Sequence, residues 1–166
     1  MNIIPNVNVV LTIIMDRPTF FINGYPIRAG GVSFYSFHEG KTLILLLNTS
    51  KWYEDIGGKT EIGDLDLFCT ISREVNEESN RLFEMDEIYQ VIQKSQVTVA
   101  RKSKYTSFYV EIPWFENTDI FGKSEDHQHN NRVVEWVDVS EISKIKRNPR
   151  LDSFWEKTMK KIRREM

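Results

Sequence analysis

Apolar and polar positions alternate in several short segments of the first half of the chain, a pattern typical of β-strands. Residues 31–37 alternate and residues 41–47 form an almost continuous apolar run, so together they predict a hairpin whose second strand is buried on both faces. Residues 7–15 and 19–22 predict two further strands, which pair with each other. The Asn-Gly pair at 23–24 then predicts a tight turn.

A helical pattern begins in the middle of the chain. Its apolar positions recur at steps of three and four residues: Leu65, Phe68, Ile71 and Val75. This spacing predicts a helix with one buried face. Asp64 and Asp66 are both suited to cap its start, and Asn80 is suited to end it in a left-handed conformation.

The second half predicts more strands and two more helices. The predicted strands are 96–101, 105–112 and 132–139; the predicted helices are 87–94 and 151–164; a polar loop covers 113–131. The apolar face of the last helix is Leu151, Phe154, Trp155, Thr158 and Ile162. Strands that outnumber the helices predict an α/β fold of the α+β type, with a mixed sheet between helices. The length of 166 residues predicts one domain, residues 1–166.

Composition narrows the class of protein. A net charge of −2 gives no electrostatic basis for bulk nucleic-acid binding. Cys69 is the only cysteine, which excludes an internal disulfide and a cysteine metal site. The longest apolar run, residues 7–15, is far shorter than the roughly 20 residues that cross a bilayer. It also lacks the marks of a signal peptide, so we expect a cytoplasmic protein without a membrane partner.

The candidate chemistry lies in GGKTEIGDLDLFCTISREVNEESN, residues 57–80. On a helix, Glu74 is a neighbour of both Glu77 and Glu78. Carboxylates so close repel one another unless a cation or a cationic side chain lies among them. Oxygen ligands suit Mg²⁺ or Mn²⁺, which complete their shells with phosphate oxygens. The cluster therefore predicts either a cation site shared with a phosphorylated ligand or a solvated helix face.

Three other residues of this stretch affect the site. Gly57 and Gly58 lack Cβ atoms, so we expect a loop there that bends sharply and brings a carbonyl oxygen close to a metal or a phosphate. Arg73 directly precedes Glu74, which predicts that it does not face that residue. We expect Arg73 instead to reach back to a loop carboxylate, either Glu61 or Asp64.

The order of these residues resembles the Nudix box, G-x5-E-x7-R-E-U-x-E-E-x-G-U, in which U is aliphatic. The matching positions are Gly58, Asp64, Arg73, Glu74, Val75, Glu77 and Glu78. The departures are Asp64 in place of Glu, eight residues instead of seven before Arg73, Asn80 in place of Gly, and Arg81 in place of an aliphatic residue. The predicted order of strands and helices outside the box is similar to that of the family as well.

The resemblance implies a Nudix-like α/β/α sandwich with a catalytic loop-helix-loop. It implies hydrolysis of a nucleoside diphosphate linked to another moiety, by water attack on phosphorus with Mg²⁺ or Mn²⁺. The implied metal ligands are Glu74, Glu77, Glu78 and the carbonyl of Gly57, and the implied catalytic residues are Glu77, Arg73 and a loop base. For that base Glu125 is the first choice, with Glu116 and Asp126 as alternatives.

The substrate is left open by the sequence. Trp52 and Phe21 are candidates to stack on a nucleobase, and Lys59 is a candidate to bind substrate. The substrate is expected to be a small nucleotide or a capped RNA, and the family resemblance also allows a homodimer. The changes at and after Asp64 keep a second function open, a nucleotide sensor that binds without cutting.

Overall fold

The computed structural model describes residues 16–123 and 131–165. The strands are β1 Phe20–Ile22, β2 Tyr25–Ile27, β3 Ala29–His38, β4 Lys41–Asn48, β5 Tyr53–Glu54, β6 Ile56–Lys59, β7 Gln96–Ala100, β8 Tyr105–Glu111 and β9 Val133–Asp138. The α-helices are α1 Leu67–Glu78, α2 Met85–Ile92 and α3 Ser153–Arg164, and two 3-10 helices cover Thr118–Phe121 and Val139–Lys144. The strand predicted at 7–15, and so its pairing with 19–22, lies outside the described residues.

One mixed sheet forms the centre of the fold. Its strand order is β5-β4-β3-β8-β7, with β6 paired to β3 and β9 paired to β4. β3 and β8 run parallel, whereas the other pairs of this sheet are antiparallel. The predicted mixed sheet is therefore confirmed, although β5 and β6 were not predicted as strands.

Both predicted hairpin turns are present. β3 and β4 pair up to His38 and Lys41, and the two residues between them, Glu39 and Gly40, have φ of 48° and 73°. Two positive φ angles give the turn a twist that matches that of the strands it joins. The Asn-Gly pair at 23–24 has φ of 49° and 81° and joins β1 to β2 in a separate two-stranded sheet.

The sheet lies between two helical layers. On one face Leu45 and Leu47 of β4 pack in a core with Ile71 and Val75 of α1. On the other face Ile44 and Leu46 belong to a second core with residues of α3. Successive residues of β4 thus point into two different cores, which confirms the prediction of burial on both faces. The architecture is an α/β/α sandwich.

The start of α1 shows which of the two aspartates is the N-cap and corrects the prediction for Leu65. Asp66 is the N-cap, and its side chain accepts a hydrogen bond from the Cys69 amide at 2.7 Å. Leu65 therefore precedes the helix and is 86% exposed, so its prediction as a core residue was wrong. The buried apolar positions of α1 are Leu67, Ile71 and Val75.

The C-terminal end of α1 and the buried face of α3 were also predicted from the sequence. Asn80 has φ of 52°, which confirms its predicted left-handed conformation after α1. In α3 the predicted buried face was wrong at Phe154, which is 61% exposed. The prediction is confirmed at Leu151, Trp155 and Ile162, which are buried, and Met159 is a buried residue of this face that was not predicted. Within the described residues, no helix is long and apolar enough to cross a membrane.

A buried polar cluster joins the sheet to the start of α3. The fully buried Asp55 accepts hydrogen bonds from the hydroxyls of Tyr105, at 2.8 Å, and Ser107, at 3.0 Å. Arg150, which precedes α3, donates to the same carboxylate at 2.9 Å. Burial raises the pKa of Asp55, and the charge of Arg150 opposes that rise. The pair is therefore a buried ion pair with hydrogen bonds on the carboxylate.

We expect Arg150→Met to lower the free energy of unfolding by about 3–5 kcal/mol, because it leaves the Asp55 carboxylate buried without its cation. The matched control is Lys160→Met, which removes an ion pair to Glu156 on the surface of α3 and is expected to cost about 0.5 kcal/mol. Urea denaturation at pH 7 measures both. Equal losses in the two variants would contradict the importance assigned to the buried pair.

Candidate functional site

Helix α1 places two carboxylates against one short strand, β6. The carboxylate of Glu74 lies directly over Gly58, at a spot that a Cβ atom on that glycine would occupy. The Oε2 atom of Glu78 accepts a hydrogen bond from the Gly57 amide at 2.8 Å, and Glu78 is only 7% exposed. Two carboxylates one helical turn apart thus lie against two successive residues of one strand.

The two glycines do not form the loop that was expected. Gly57 and Gly58 lie within β6 and pair with Gly31 and Gly30 of β3, and neither has a positive φ. The expectation of a sharp bend was therefore wrong, and close approach is what requires glycine here. A Cβ on Gly57 would overlap the carbonyl of Gly30, and a Cβ on Gly58 would overlap the carboxylate of Glu74.

Arg73 holds the loop before α1 and the carboxylates of α1 together. Its guanidinium donates to Asp64 at 3.2 Å and to the Lys59 carbonyl at 3.0 Å. This confirms the expectation that Arg73 reaches back to a loop carboxylate. It also donates to Glu74 at 2.9 Å and to Glu77 at 3.4 Å. The prediction that Arg73 does not face Glu74 was wrong, because its long side chain brings the guanidinium to a neighbour whose Cβ points elsewhere.

Asp64 is the main loop partner of Arg73. Its carboxylate is 8% exposed and also accepts hydrogen bonds from the Glu61 amide, at 2.8 Å, and the Thr70 hydroxyl, at 2.7 Å. Glu61 is 62% exposed and lies 3.6 Å from Arg73. Leu65 lies between this loop and α1 and points into solvent.

The carboxyl groups of the site differ in burial, in hydrogen bonding and in the direction of their pKa shifts. Burial raises the pKa of the Glu74 carboxyl above its ordinary value; Arg73 opposes that rise and Glu77 adds to it. Burial also acts to raise the pKa of Asp64, but hydrogen bonds from Arg73, the Glu61 amide and Thr70 outweigh it and hold this pKa below its ordinary value. The Glu77 side chain is 47% exposed. Arg73 is thus the cationic side chain that keeps these carboxylates together.

Within residues 16–123 and 131–165, no group of three or more His, Cys, Asp or Glu side chains is arranged to hold a metal ion. Glu74 and Glu77 are bonded to Arg73, and Glu78 is bonded to β6. The metal ligands implied by the sequence resemblance therefore stay a prediction.

The other predicted site residues lie on different elements. Lys59 is exposed in β6, one residue after Gly58. Trp52 precedes β5, and its indole donates to Glu54 at 3.0 Å. Phe21 is 66% exposed in β1. Glu125 lies outside the described residues, so its predicted part as a base is untested, as are the substrate contacts of the other three.

Arg132 is a residue of this region that the sequence did not single out. It precedes β9, is 6% exposed, and donates from Nη2 to the carbonyls of Glu78 and Phe121. It therefore binds the end of α1, directly beside a candidate ligand. No sequence signal marks it, because its partner Glu78 is 54 positions away in the chain.

Solved structures show the fold. No protein-family model matches the chain, and no curated protein sequence is similar to it. A Caenorhabditis elegans (C. elegans) Ap4A hydrolase binary complex is 17% identical with a TM-score of 0.51, over 82% of this chain and 94% of that one. The M. smegmatis Nudix hydrolase RenU is 11% identical with a TM-score of 0.51, over 87% and 92%.

A third structure is the NUDIX domain of Shewanella oneidensis NrtR complexed with ADP ribose. It is 10% identical with a TM-score of 0.51, over 82% of this chain and 88% of that one. Identities this low establish the architecture alone. The predicted Nudix-like fold is confirmed.

We expect Asp64→Asn to lower the free energy of unfolding by about 2 kcal/mol at pH 7, because the carboxylate accepts charge-assisted hydrogen bonds in a buried position. The matched control in the same loop is Glu61→Gln, with an expected loss below about 1 kcal/mol. The folded-state pKa of Asp64 is lowered. Its contribution is therefore complete above the unfolded-state pKa, about 3.9, and is lost as pH falls through the folded-state value.

Urea denaturation of both variants and of the unmodified chain at pH 7, 5 and 3 provides the measurement. The gap between the unmodified chain and Asp64→Asn should narrow toward the lowest pH. A larger loss for Glu61→Gln than for Asp64→Asn would show that the wrong loop carboxylate has been identified as the partner of Arg73.

Proposed function

We propose that this chain hydrolyses a pyrophosphate bond in a nucleoside diphosphate linked to another moiety, by attack of water on phosphorus with the help of a divalent cation. The observation that carries the proposal is the position of Glu74 and Glu78 against Gly57 and Gly58. Buried carboxylates without solvent around them favour a nearby cation. An all-oxygen donor set favours Mg²⁺ or Mn²⁺.

The residues present fit such a cation in their chemistry. Glu74 and Glu78 would be its main ligands, the carbonyl of Gly57 would be a further one, and the exposed Glu77 would bind a second ion or orient water. Glu77 is joined to Arg73 by a contact of 3.4 Å, and a partly exposed contact of this kind is weak enough to exchange. A bound divalent ion would neutralise pyrophosphate charge and acidify the attacking water.

The chain's own cations would act beside that site. Arg73 positions Glu74 through a 2.9 Å contact while its other contacts hold the loop. Lys59 follows Gly58 in β6 and is exposed, so it is available to a phosphate of the substrate. We retain Glu125 as the proposed general base, and Trp52 and Phe21 as proposed base-stacking residues.

The comparisons support nucleotides as the substrate class. One similar structure is an Ap4A hydrolase, and another is a NUDIX domain in complex with ADP ribose. Both names denote compounds in which phosphates are joined by anhydride bonds. Small nucleotides of this kind are therefore the first candidates, followed by capped RNA, in which an anhydride also links the cap.

A second candidate function is a nucleotide sensor that binds without hydrolysis. The contacts of Arg73 with both Glu74 and Glu77 favour it, because they satisfy these carboxylates without a metal ion. The two functions differ in turnover, so one assay separates them.

The decisive assay is hydrolysis of a panel of ADP-ribose-type compounds, dinucleoside polyphosphates and capped RNA with Mg²⁺ and with Mn²⁺. We expect cleavage of at least one compound, and a loss of about a hundredfold or more in Glu78→Gln. Gln keeps the shape of the side chain and still accepts from the Gly57 amide, so the fold should persist. Tight binding without turnover of any compound would favour the sensor, and unchanged activity in Glu78→Gln would exclude the proposed site.

Gly58→Ala tests the contact between α1 and β6. The added Cβ would displace the Glu74 carboxylate, and a shift of about 1 Å in an active group can lower hydrolysis about a hundredfold. The matched control is Gly40→Ala, in a turn with φ of 73° and open space around it. That change is expected to cost about 1 kcal/mol of stability and to leave hydrolysis intact. Equal activity in the two variants would show that the position of Glu74 does not matter.

A further inference from the structure

Exposed cations are concentrated at one end of the central sheet, where β6 ends and where β7 turns into β8. They are Lys59, Arg101, Lys102 and Lys104, all of them exposed, and we call them the basic rim. The pairing of the strands places them in one row: Lys59 pairs with Ala29, and Ala29 pairs with Tyr105, which follows Lys104. Because neighbouring strands lie about 4.8 Å apart, the backbones of Lys59 and Tyr105 are about 10 Å apart.

The acidic side chains near this end of the sheet are bound to other cations. Asp64 and Glu61 lie 3.2 Å and 3.6 Å from the guanidinium of Arg73, and Asp16 lies 2.7 Å from that of Arg28. Within the part of the chain that the structure describes, no carboxylate forms an ion pair with a residue of the basic rim. The four cations are therefore available to an anion from outside the chain.

The positive charge of the basic rim is a local property that the net charge of the chain, −2, does not reveal. Residues 1–15, which precede Asp16 at this end, contain no Asp, Glu, Lys or Arg. Residues 124–130 contain two acidic residues, but they join Lys123 to Asn131 beside β9, and β9 pairs with β4, whereas β7 is at the other edge of the sheet. The absence of a basis for bulk nucleic-acid binding therefore does not apply to this surface.

An exposed aromatic ring lies beside the basic rim. Phe154, which is 61% exposed, lines a cavity of about 350 Å³ together with Arg101 and Lys102, between the β7–β8 turn and the start of α3. The ammonium group of Lys157 lies 5.6 Å from the centre of the same ring. Asp152, an acidic residue of the lining, is the N-cap of α3 and accepts hydrogen bonds from two backbone amides. The ring of Phe154 is thus an apolar surface in solvent with cations on two sides.

The guanidinium of Arg101 is held in place without losing its donors. It lies 4.0 Å from the centre of the Tyr25 ring, a cation–π contact. This contact uses the face of the guanidinium and leaves the N–H groups at its edge for phosphate oxygens. Among the described residues, none accepts a hydrogen bond from these groups. Arg101 is therefore ordered in a way that an ordinary solvated side chain in a turn is not.

The row of cations begins at the candidate site. Lys59 follows Gly58, and the carboxylate of Glu74 lies over that glycine. A ligand that contacts both Lys59 and Lys102 has phosphates along the row, so it is longer than one phosphate group. Cations that follow a phosphate backbone, together with an aromatic ring on which a base stacks, are the features by which proteins bind single-stranded nucleic acids.

We propose that the basic rim and Phe154 bind the nucleotides of a single-stranded RNA that follow its terminal anhydride. The place of this contact in a reaction rests on the proposed function. The substrate class is then an RNA strand whose end carries a group linked by an anhydride, such as a cap, with the anhydride at Glu74 and Glu78. RNA rather than DNA follows from chemistry, because RNA chains are the nucleic acids that carry such anhydrides at their ends. Binding of the strand does not require cleavage and is tested without it.

The binding test is a titration of the full chain in EDTA with a fluorescently labelled oligoadenylate RNA of about ten nucleotides, followed by anisotropy at several salt concentrations. Lys102→Met should weaken binding by about threefold to tenfold and should reduce the slope of log affinity against log salt by about 0.7, the share of one phosphate contact. The matched control is Lys94→Met, an equal loss of charge at an exposed residue after α2. It should bind the RNA as the unmodified chain does.

Phe154→Ala tests the aromatic contact. We expect it to weaken RNA binding by about fivefold or more, because a base loses the ring on which it stacks. Phe154→Tyr keeps an aromatic ring at the same position and should bind as the unmodified chain does. The side chain is exposed, so both variants should fold.

Equal affinities and equal salt slopes in Lys102→Met and Lys94→Met would overturn the proposal. It would also be overturned if Phe154→Ala bound the RNA as tightly as Phe154→Tyr. If capped RNA is cleaved, Lys102→Met should raise KM for this substrate by about threefold or more with little change in kcat, and should leave hydrolysis of ADP-ribose-type compounds intact. Glu78→Gln should instead lower kcat for both kinds of substrate.

The proposed function and the RNA surface fail separately. A chain that binds the RNA through Lys102 and Phe154 but cleaves no compound would fail the proposed function and still retain the RNA surface. A chain that hydrolyses small nucleotides but binds the oligoadenylate no more tightly than AMP would retain the proposed function and overturn the RNA surface.

Discussion

The close contact between α1 and the β3–β6 pair is the constraint on which the rest of the structure depends. Four glycines face one another where these strands pair: Gly30 with Gly58, and Gly31 with Gly57. A Cβ on Gly30 would lie 2.8 Å from Ile71 of α1, and one on Gly31 would lie 3.0 Å from Asp55. The sheet is therefore thin at this point, so the helix can approach from one face and the buried Asp55 cluster from the other.

That thin region explains how carboxylates come to be buried at all. Glu74 and Glu78 are held against strand backbone, where an ionised group is stable only with hydrogen bonds or a nearby cation. Glu78 accepts a hydrogen bond from the Gly57 amide, and Glu74 accepts one from the guanidinium of Arg73. The proposed metal ligands Glu74 and Glu78 are thus positioned by the contacts between α1 and β6, and a cation bound there would compete with Arg73 for Glu74 and Glu77.

The sequence predicted those features whose causes are local. The turn at residues 23–24 and the left-handed Asn80 follow from single residue types, and the strands follow from alternation. Leu65 was misplaced because periodicity alone does not fix where a helix starts; the Asp66 cap does. Gly57 and Gly58 were assigned to a bend because the reason for glycine lies in β3 and α1, far away in the chain. Arg132 could not be found at all, since its meaning depends on a contact with Glu78 that exists only in the folded chain.

The loop before α1 is joined to the helix through Asp64, whose carboxylate accepts a hydrogen bond from Arg73 at 3.2 Å. Leu65, which lies between Asp64 and α1, is in solvent and does not belong to the core. Arg73 then binds the loop at the start of α1, and Arg132 binds the carbonyl of Glu78 at its end. The guanidinium groups of Arg73 and Arg132 thus hold α1 at Glu74 and at Glu78, the two residues proposed as metal ligands.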